Sequence, residues 1–134
     1  MIKANELRIS NYVEYKHLNN DVLYGYDTVT SIDLNGISLS CRKYTVMTID
    51  CIKPIPLTEE LLLKCGFISW SFKRSYISIK KDTNLYTLVY DLIKSECYLD
   101  LDFTFMTLDN EIKYLHQLQN LYFALTGTEL EIKL

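Results

Sequence analysis

The stretch Leu108 to Gly127, LDNEIKYLHQLQNLYFALTG, is the one long helical pattern in this chain, and it limits what the remainder can be. At 100° per residue, Leu108, Ile112, Leu115, Leu118, Tyr122 and Leu125 share a face, while Asn110, Lys113, Gln117, Asn120 and Ala124 lie opposite. The apolar arc covers roughly half the circumference, more than a surface helix needs. The spacing predicts a helix over 108–126 that lies across a sheet. Thr107 or Asp109 can cap its first turn, Asp109 and Glu111 suit the positive end of its dipole, and Gly127 can close it in a left-handed conformation. Gln119 breaks the pattern. It falls near the middle of the apolar arc, so its buried amide needs partners, either strand or loop backbone or a polar ligand.

Short strands fill the sequence before that helix. Leu7–Lys16 alternates, Val22–Leu34 is extended, and Asn35-Gly36 reads as a two-residue hairpin turn into Ile37–Cys41. Tyr44–Ile52 supplies another strand. These strands suggest a small β unit over 1–53, an SH3-like barrel with too little core to stand alone. Pro54 and Pro56 interrupt the sheet. Thr58, Glu59 and Glu60, a leucine run and Gly66 then predict a short helix over 58–65 with Leu61, Leu62, Leu63 and Cys65 inward. Strands follow at Phe67–Phe72, Tyr76–Lys80, Leu85–Ile93 and Cys97–Phe105. In the last, Leu99, Leu101, Phe103 and Phe105 form the dry face that the helix should cover. Glu129–Leu134 reads as a terminal strand. The fold class expected is α+β: the β unit, then an antiparallel sheet with both helices over 54–134, or one continuous domain.

A chain of 134 residues with net charge −3 has no global attraction for nucleic acid or anionic membrane. Eleven tyrosines among 134 residues favour strands and interfaces, where the ring is buried and the hydroxyl stays wet. No apolar run is long enough to span a bilayer, and the start, MIKANELRIS, lacks a signal-peptide core, so the reading is cytoplasmic. Cys41, Cys51, Cys65 and Cys97 form no Cys-x-x-Cys pair and read as free thiols acting as small hydrophobes.

Three runs carry a family resemblance. Lys113–Glu131 (KYLHQLQNLYFALTGTELE), Pro54–Phe67 (PIPLTEELLLKCGF) and Ala4–Tyr15 (ANELRISNYVEY) resemble signatures of an uncharacterised family of short proteins from Bacteroidetes and their phages and prophages. In the third signature the position of Ser10 is often Gly. The resemblance implies a shared fold and a mobile-element origin. It implies no catalytic residue.

Catalytic motifs are sparse. His116 borders the apolar arc, and a general base there would need an orienting partner and a cleft. Asp100 and Asp102 share a strand face, as a metal-binding or acid–base pair would, and as the wet face of a sheet does. There is no phosphate loop, nucleophile elbow or zinc-protease motif, and no cofactor or metal is expected. The hairpin Trp70–Lys81 is the candidate binding surface. Trp70, Phe72 and Tyr76 interleave there with Lys73, Arg74, Lys80 and Lys81, a mixture that can stack bases and neutralise phosphates or keep a sheet edge soluble. The function expected is a non-enzymatic protein-interaction module of phage or mobile-element origin, its partner an unidentified protein. The alternatives are a nucleic-acid-binding module using that hairpin, and an enzyme using His116 or Asp100/Asp102.

Overall fold

The computed structural model describes residues 2–16, 23–40, 42–71, 73, 75–80, 87–101, 104–109 and 111–133, with backbone alone at 4, 23–24, 42–45, 80 and 109. The protein is α+β, with two antiparallel five-stranded sheets and two α-helices among the described residues. It divides into two compact units, Met1–Pro56 with Tyr114–Glu129, and Leu57–Lys113 with Leu130–Leu134. Among the described residues no helix is long and apolar enough to cross a membrane.

The first unit holds β1 (Tyr12–Lys16), β2 (Leu23–Asp33), β3 (Gly36–Leu39), β4 (Arg42–Met47) and β5 (Ile52–Lys53), in the order β4-β3-β2-β1-β5. The long β2 changes partner midway. Its first half pairs with β1, Tyr12 opposite Thr28, and its second half with β3 from Val29 onward. The β2–β3 turn is Leu34-Asn35, one residue earlier than the sequence suggests, because Gly36 already pairs with Asp33. Gly36 is still required. It sits at φ 139°, and a Cβ there would lie 2.4 Å from the Met47 carbonyl oxygen. A 3-10 turn, Ile49–Cys51, leads into β5, which returns beside β1. Inside lie Ile2, Leu7, Val13, Val29, Ile37, Leu39, Met47, Cys51 and Ile52. The strand expected from Leu7 begins only at Tyr12. The chain before it makes a 3-10 turn over Ala4–Glu6 and bends at Ser10, whose φ is 77°.

The second unit holds the helix α1 (Glu59–Lys64) and strands β6 (Ile68–Ser69), β7 (Tyr76–Lys80), β8 (Thr87–Asp91), β9 (Glu96–Asp100) and β10 (Phe105–Asp109), in the order β10-β9-β8-β7-β6. The Thr58 hydroxyl accepts from Leu61 N at 3.2 Å, the cap its sequence announces. Leu61, Leu62 and Cys65 are buried, whereas Leu63, expected inward, is exposed. Registration puts Ile77, Ile79, Leu88, Tyr90, Cys97 and Leu99 on one sheet face. This is the core face: the Tyr90 hydroxyl donates to the Ile112 carbonyl at 2.6 Å, and Gly66 lies against Ile79.

The second helix, α2 (Leu115–Thr126), departs from expectation at its start and in its setting. It begins at Leu115, not Leu108. Residues 105–109 are β10 instead, and Glu111 takes a left-handed φ of 74° that no helix continues through. Residues 112–115 spend their backbone groups elsewhere. Ile112 N donates to Ser95 O, Lys113 O accepts from Leu57 N, and Leu115 N donates to Ile55 O, each at 2.9 Å. The helix also belongs to the first unit, beside β1, and not to the unit that holds Cys97–Phe105. Gly127 closes it at φ 72° with its N–H on Phe123 O, as read. Cys97–Phe105 is no single strand: Leu101 N donates to Thr104 O and turns the chain into a β9–β10 hairpin. Leu101 and Phe105 are therefore exposed, and Phe103 lies outside the described residues. The terminal strand expected over 129–134 is not regular where described, although Leu130 is buried and Lys133 N donates to Lys64 O.

Candidate functional site

Gln119 and His116 are both buried, and neither opens to solvent. Gln119 Oε1 accepts from Tyr12 N at 2.8 Å, and its Nε2 donates to Ser10 O at 3.2 Å. The amide thus satisfies two backbone groups where the chain bends at Ser10 before β1, the structural alternative raised by the sequence. Asn120 continues the seam. Its Nδ2 donates to Glu6 O at 2.8 Å, and its Oδ1 accepts from Asn11 Nδ2 at 2.9 Å and Arg8 Nε at 3.2 Å. The Arg8 guanidinium pairs with the Glu129 carboxylate and lies 4.3 Å from the centre of the Phe123 ring. Opposite charge in a fork geometry and a cation over a ring are both favourable.

His116 is 1 % exposed, and neither ring nitrogen has a hydrogen-bond partner among the described residues. Its Nε2 lies 3.8 Å from Glu6 Oε2, and Tyr114 stacks on the ring at 6.1 Å between centroids. Burial lowers its pKa, and the Glu6 carboxylate pulls the other way. A base enclosed in this way has no approach for a substrate. Asp100 pairs across the β9–β10 hairpin with Phe105, and Asp102 lies outside the described residues. Among the described residues no three His, Cys, Asp or Glu side chains converge as a metal site. Cys51, Cys65 and Cys97 are buried thiols outside any disulfide, and burial pushes Cys65 up to about 11. Cys41 lies outside the described residues.

The second sheet presents a different surface on the face away from its core. Tyr76, Ser78, Val89, Tyr98 and Phe105 share that face by registration, and Ile68 opposite Ser78 joins them. Trp70 reaches onto it, its indole N–H donating to Ser78 Oγ at 2.8 Å. The rings interlock. Trp70 and Tyr76 meet edge to face at 5.3 Å, and Phe105 lies 6.1 Å from Trp70, 6.3 Å from Tyr76 and 6.1 Å from Tyr98. Val89 is fully buried beneath, but Ile68 and Phe105 stand 72 % and 50 % exposed. Lys73 Nζ caps the Tyr76 ring at 3.9 Å, a cation–π contact at the rim. The Tyr98 hydroxyl donates to the Glu96 carboxylate, and that bond, with burial second, holds the phenol well above its usual pKa.

Of the hairpin residues singled out by sequence, Trp70, Lys73 and Tyr76 lie together, the Lys80 side chain is not described, and Phe72, Arg74 and Lys81 lie outside the described residues. Ile68, Tyr98 and Phe105 are the partners that sequence reading missed. Tyr98 carried a signal: Glu96, Tyr98 and Asp100 alternate with Cys97 and Leu99, which puts Tyr98 on the polar face. Comparison with protein-family models, curated proteins and solved structures gives no match.

Proposed function

We propose that the protein is a non-enzymatic protein-interaction module of mobile-element origin, acting in the cytoplasm of the host cell, and that it binds a partner protein through the aromatic face of β6–β10. The supporting observation is the interlocked Trp70–Tyr76–Tyr98–Phe105 cluster, left partly exposed on the sheet. Large rings held in place bury much area at little entropy cost, and Trp and Tyr dominate interface hot spots. The Glu96 carboxylate beside Tyr98 weighs against a polyanionic partner, and Lys73 is already engaged on Tyr76. An SH3-like character of the first unit fits its connectivity: a four-strand meander whose fifth strand returns beside the first after one 3-10 turn.

The test is affinity capture from lysogenic or infected host cells with three baits: the unaltered chain, Trp70→Ala/Phe105→Ala, and Leu34→Ala as a control on the exposed β2–β3 turn. A protein retained by the first and third baits but lost from the second supports this reading. An unchanged set of captured proteins refutes it. Material that nuclease or moderate salt removes would point to the nucleic-acid alternative.

A further inference from the structure

Each five-stranded sheet ends in two edge strands, and an edge presents unpaired backbone donors and acceptors unless something blunts it. Among the described residues, two of the four are only two residues long and a third opens on charge. The edge strand β4 opens with Arg42-Lys43, β5 has two residues and runs into Pro54, and β6 has two residues. β10 is the exception. It has five residues, Phe105–Asp109; its one charge is the last of them, and Thr104–Leu108 (TFMTL) contains no charge and no proline. It exposes apolar side chains on both faces, Phe105 at 50 % and Met106 at 47 %. The register shift in its pairing with β9 falls after Thr107, so Phe105–Thr107 stays regular.

We propose that β10 pairs antiparallel with β10 of a second copy of this chain, making one sheet continuous across two molecules. A two-fold axis normal to the sheet keeps odd positions opposite odd positions. Centred on Met106, it sets Met106 against Met106, Phe105 against Thr107 and Thr104 against Leu108. No like charges meet in that register, and Met106 and Phe105 are covered. The two aromatic faces become neighbours on the same side of the joined sheet. The outer edges are then the two-residue β6 strands, so the assembly closes at two copies and does not grow. Pairing needs only this chain. It is therefore separable from the heterologous partner proposed above.

Sedimentation velocity on the purified full chain over a concentration series tests the pairing. The mass should rise from one 15.7 kDa chain to two. Met106→Lys, which sets lysine against lysine at a half-exposed position, should stay at one chain with an unchanged circular dichroism spectrum. Met106→Cys should form a disulfide-linked dimer under mild oxidant, because Cα atoms directly opposite on antiparallel strands lie about 4.5–5.5 Å apart. Leu34→Cys, on the exposed β2–β3 turn, should not. A chain that stays single up to its solubility limit overturns the proposal. So does a dimer that survives Met106→Lys, or equal cross-linking at Leu34. A single-chain protein that still captures its partner would sink the edge pairing alone.

Discussion

The seam between Glu6–Asn11 and α2 and the aromatic face of β6–β10 are built from opposite materials. In the seam, polar side chains are spent inward: Gln119 terminates on backbone, Asn120 on backbone, Asn11 and Arg8, and Arg8 is held by Glu129 and Phe123. On the sheet face, apolar rings are spent outward, and the polar groups beneath them, such as the indole N–H on Ser78, only fix the rings in place. A buried amide bonded through its oxygen and its nitrogen to two backbone groups is a fastener, since its removal strands both. A ring half in water keeps free energy in reserve for whatever next covers it.

This contrast is open to attack. Gln119→Leu keeps the bulk but leaves Tyr12 N–H and Ser10 C=O without their partner, and should cost about 2–3 kcal/mol in urea unfolding. A change under half a kilocalorie per mole would mean that the seam is ornamental. Trp70→Ala/Phe105→Ala should weaken partner capture at least about tenfold. Its loss of stability should be smaller than that of Gln119→Leu, and the reverse ranking would make the face a core. Ser10→Gly relieves a left-handed residue at φ 77° and should gain about 1 kcal/mol, readable as a raised melting temperature.

The smallest effect is a slope. Burial sets the His116 pKa below 6.5, so the unfolded chain takes the proton first. Stability should therefore fall as pH drops below about 6.5, and level off once the folded-state pKa is passed. Melting temperatures between pH 5 and 8 should show this component lost in His116→Leu. It should be steeper in Glu6→Gln, since the Glu6 carboxylate favours the protonated ring. Identical slopes in all three proteins would remove His116 from the account.

Much of the architecture could be read directly from residue order, and the failures share a cause. Local rules served where a local motif decides: Thr58 on α1, Gly127 on α2, the Tyr76–Lys80 strand and the fastening of Gln119 to a bend. They failed at Leu108 and Ile112. These residues keep helical phase with Leu115, but their backbone is claimed by β9, Ser95 and Tyr90, all distant in sequence. The candidate site suffered the same way. Trp70 and Tyr76 are near in sequence and were paired correctly. Phe105 was assigned to the wrong face because the Leu101–Thr104 turn folds one apparent strand into two.

The pairing of Ile55–Leu57 with Lys113–Leu115 sets an order of assembly during synthesis. Pro56 bridges to Tyr114, so the chain leaves the first unit and re-enters it at adjoining points. On the ribosome, β1 to β5 emerge with one apolar cluster, Ile2 through Ile52. The Ser10 bend must nevertheless wait, with Tyr12 N–H and Ser10 C=O unserved, until β6 to β10 have been made and Gln119 follows them out. The second unit's strands are thus translated inside the folding interval of the first, and a ribosome stalled before Leu115 would hold a β unit with its fastener missing.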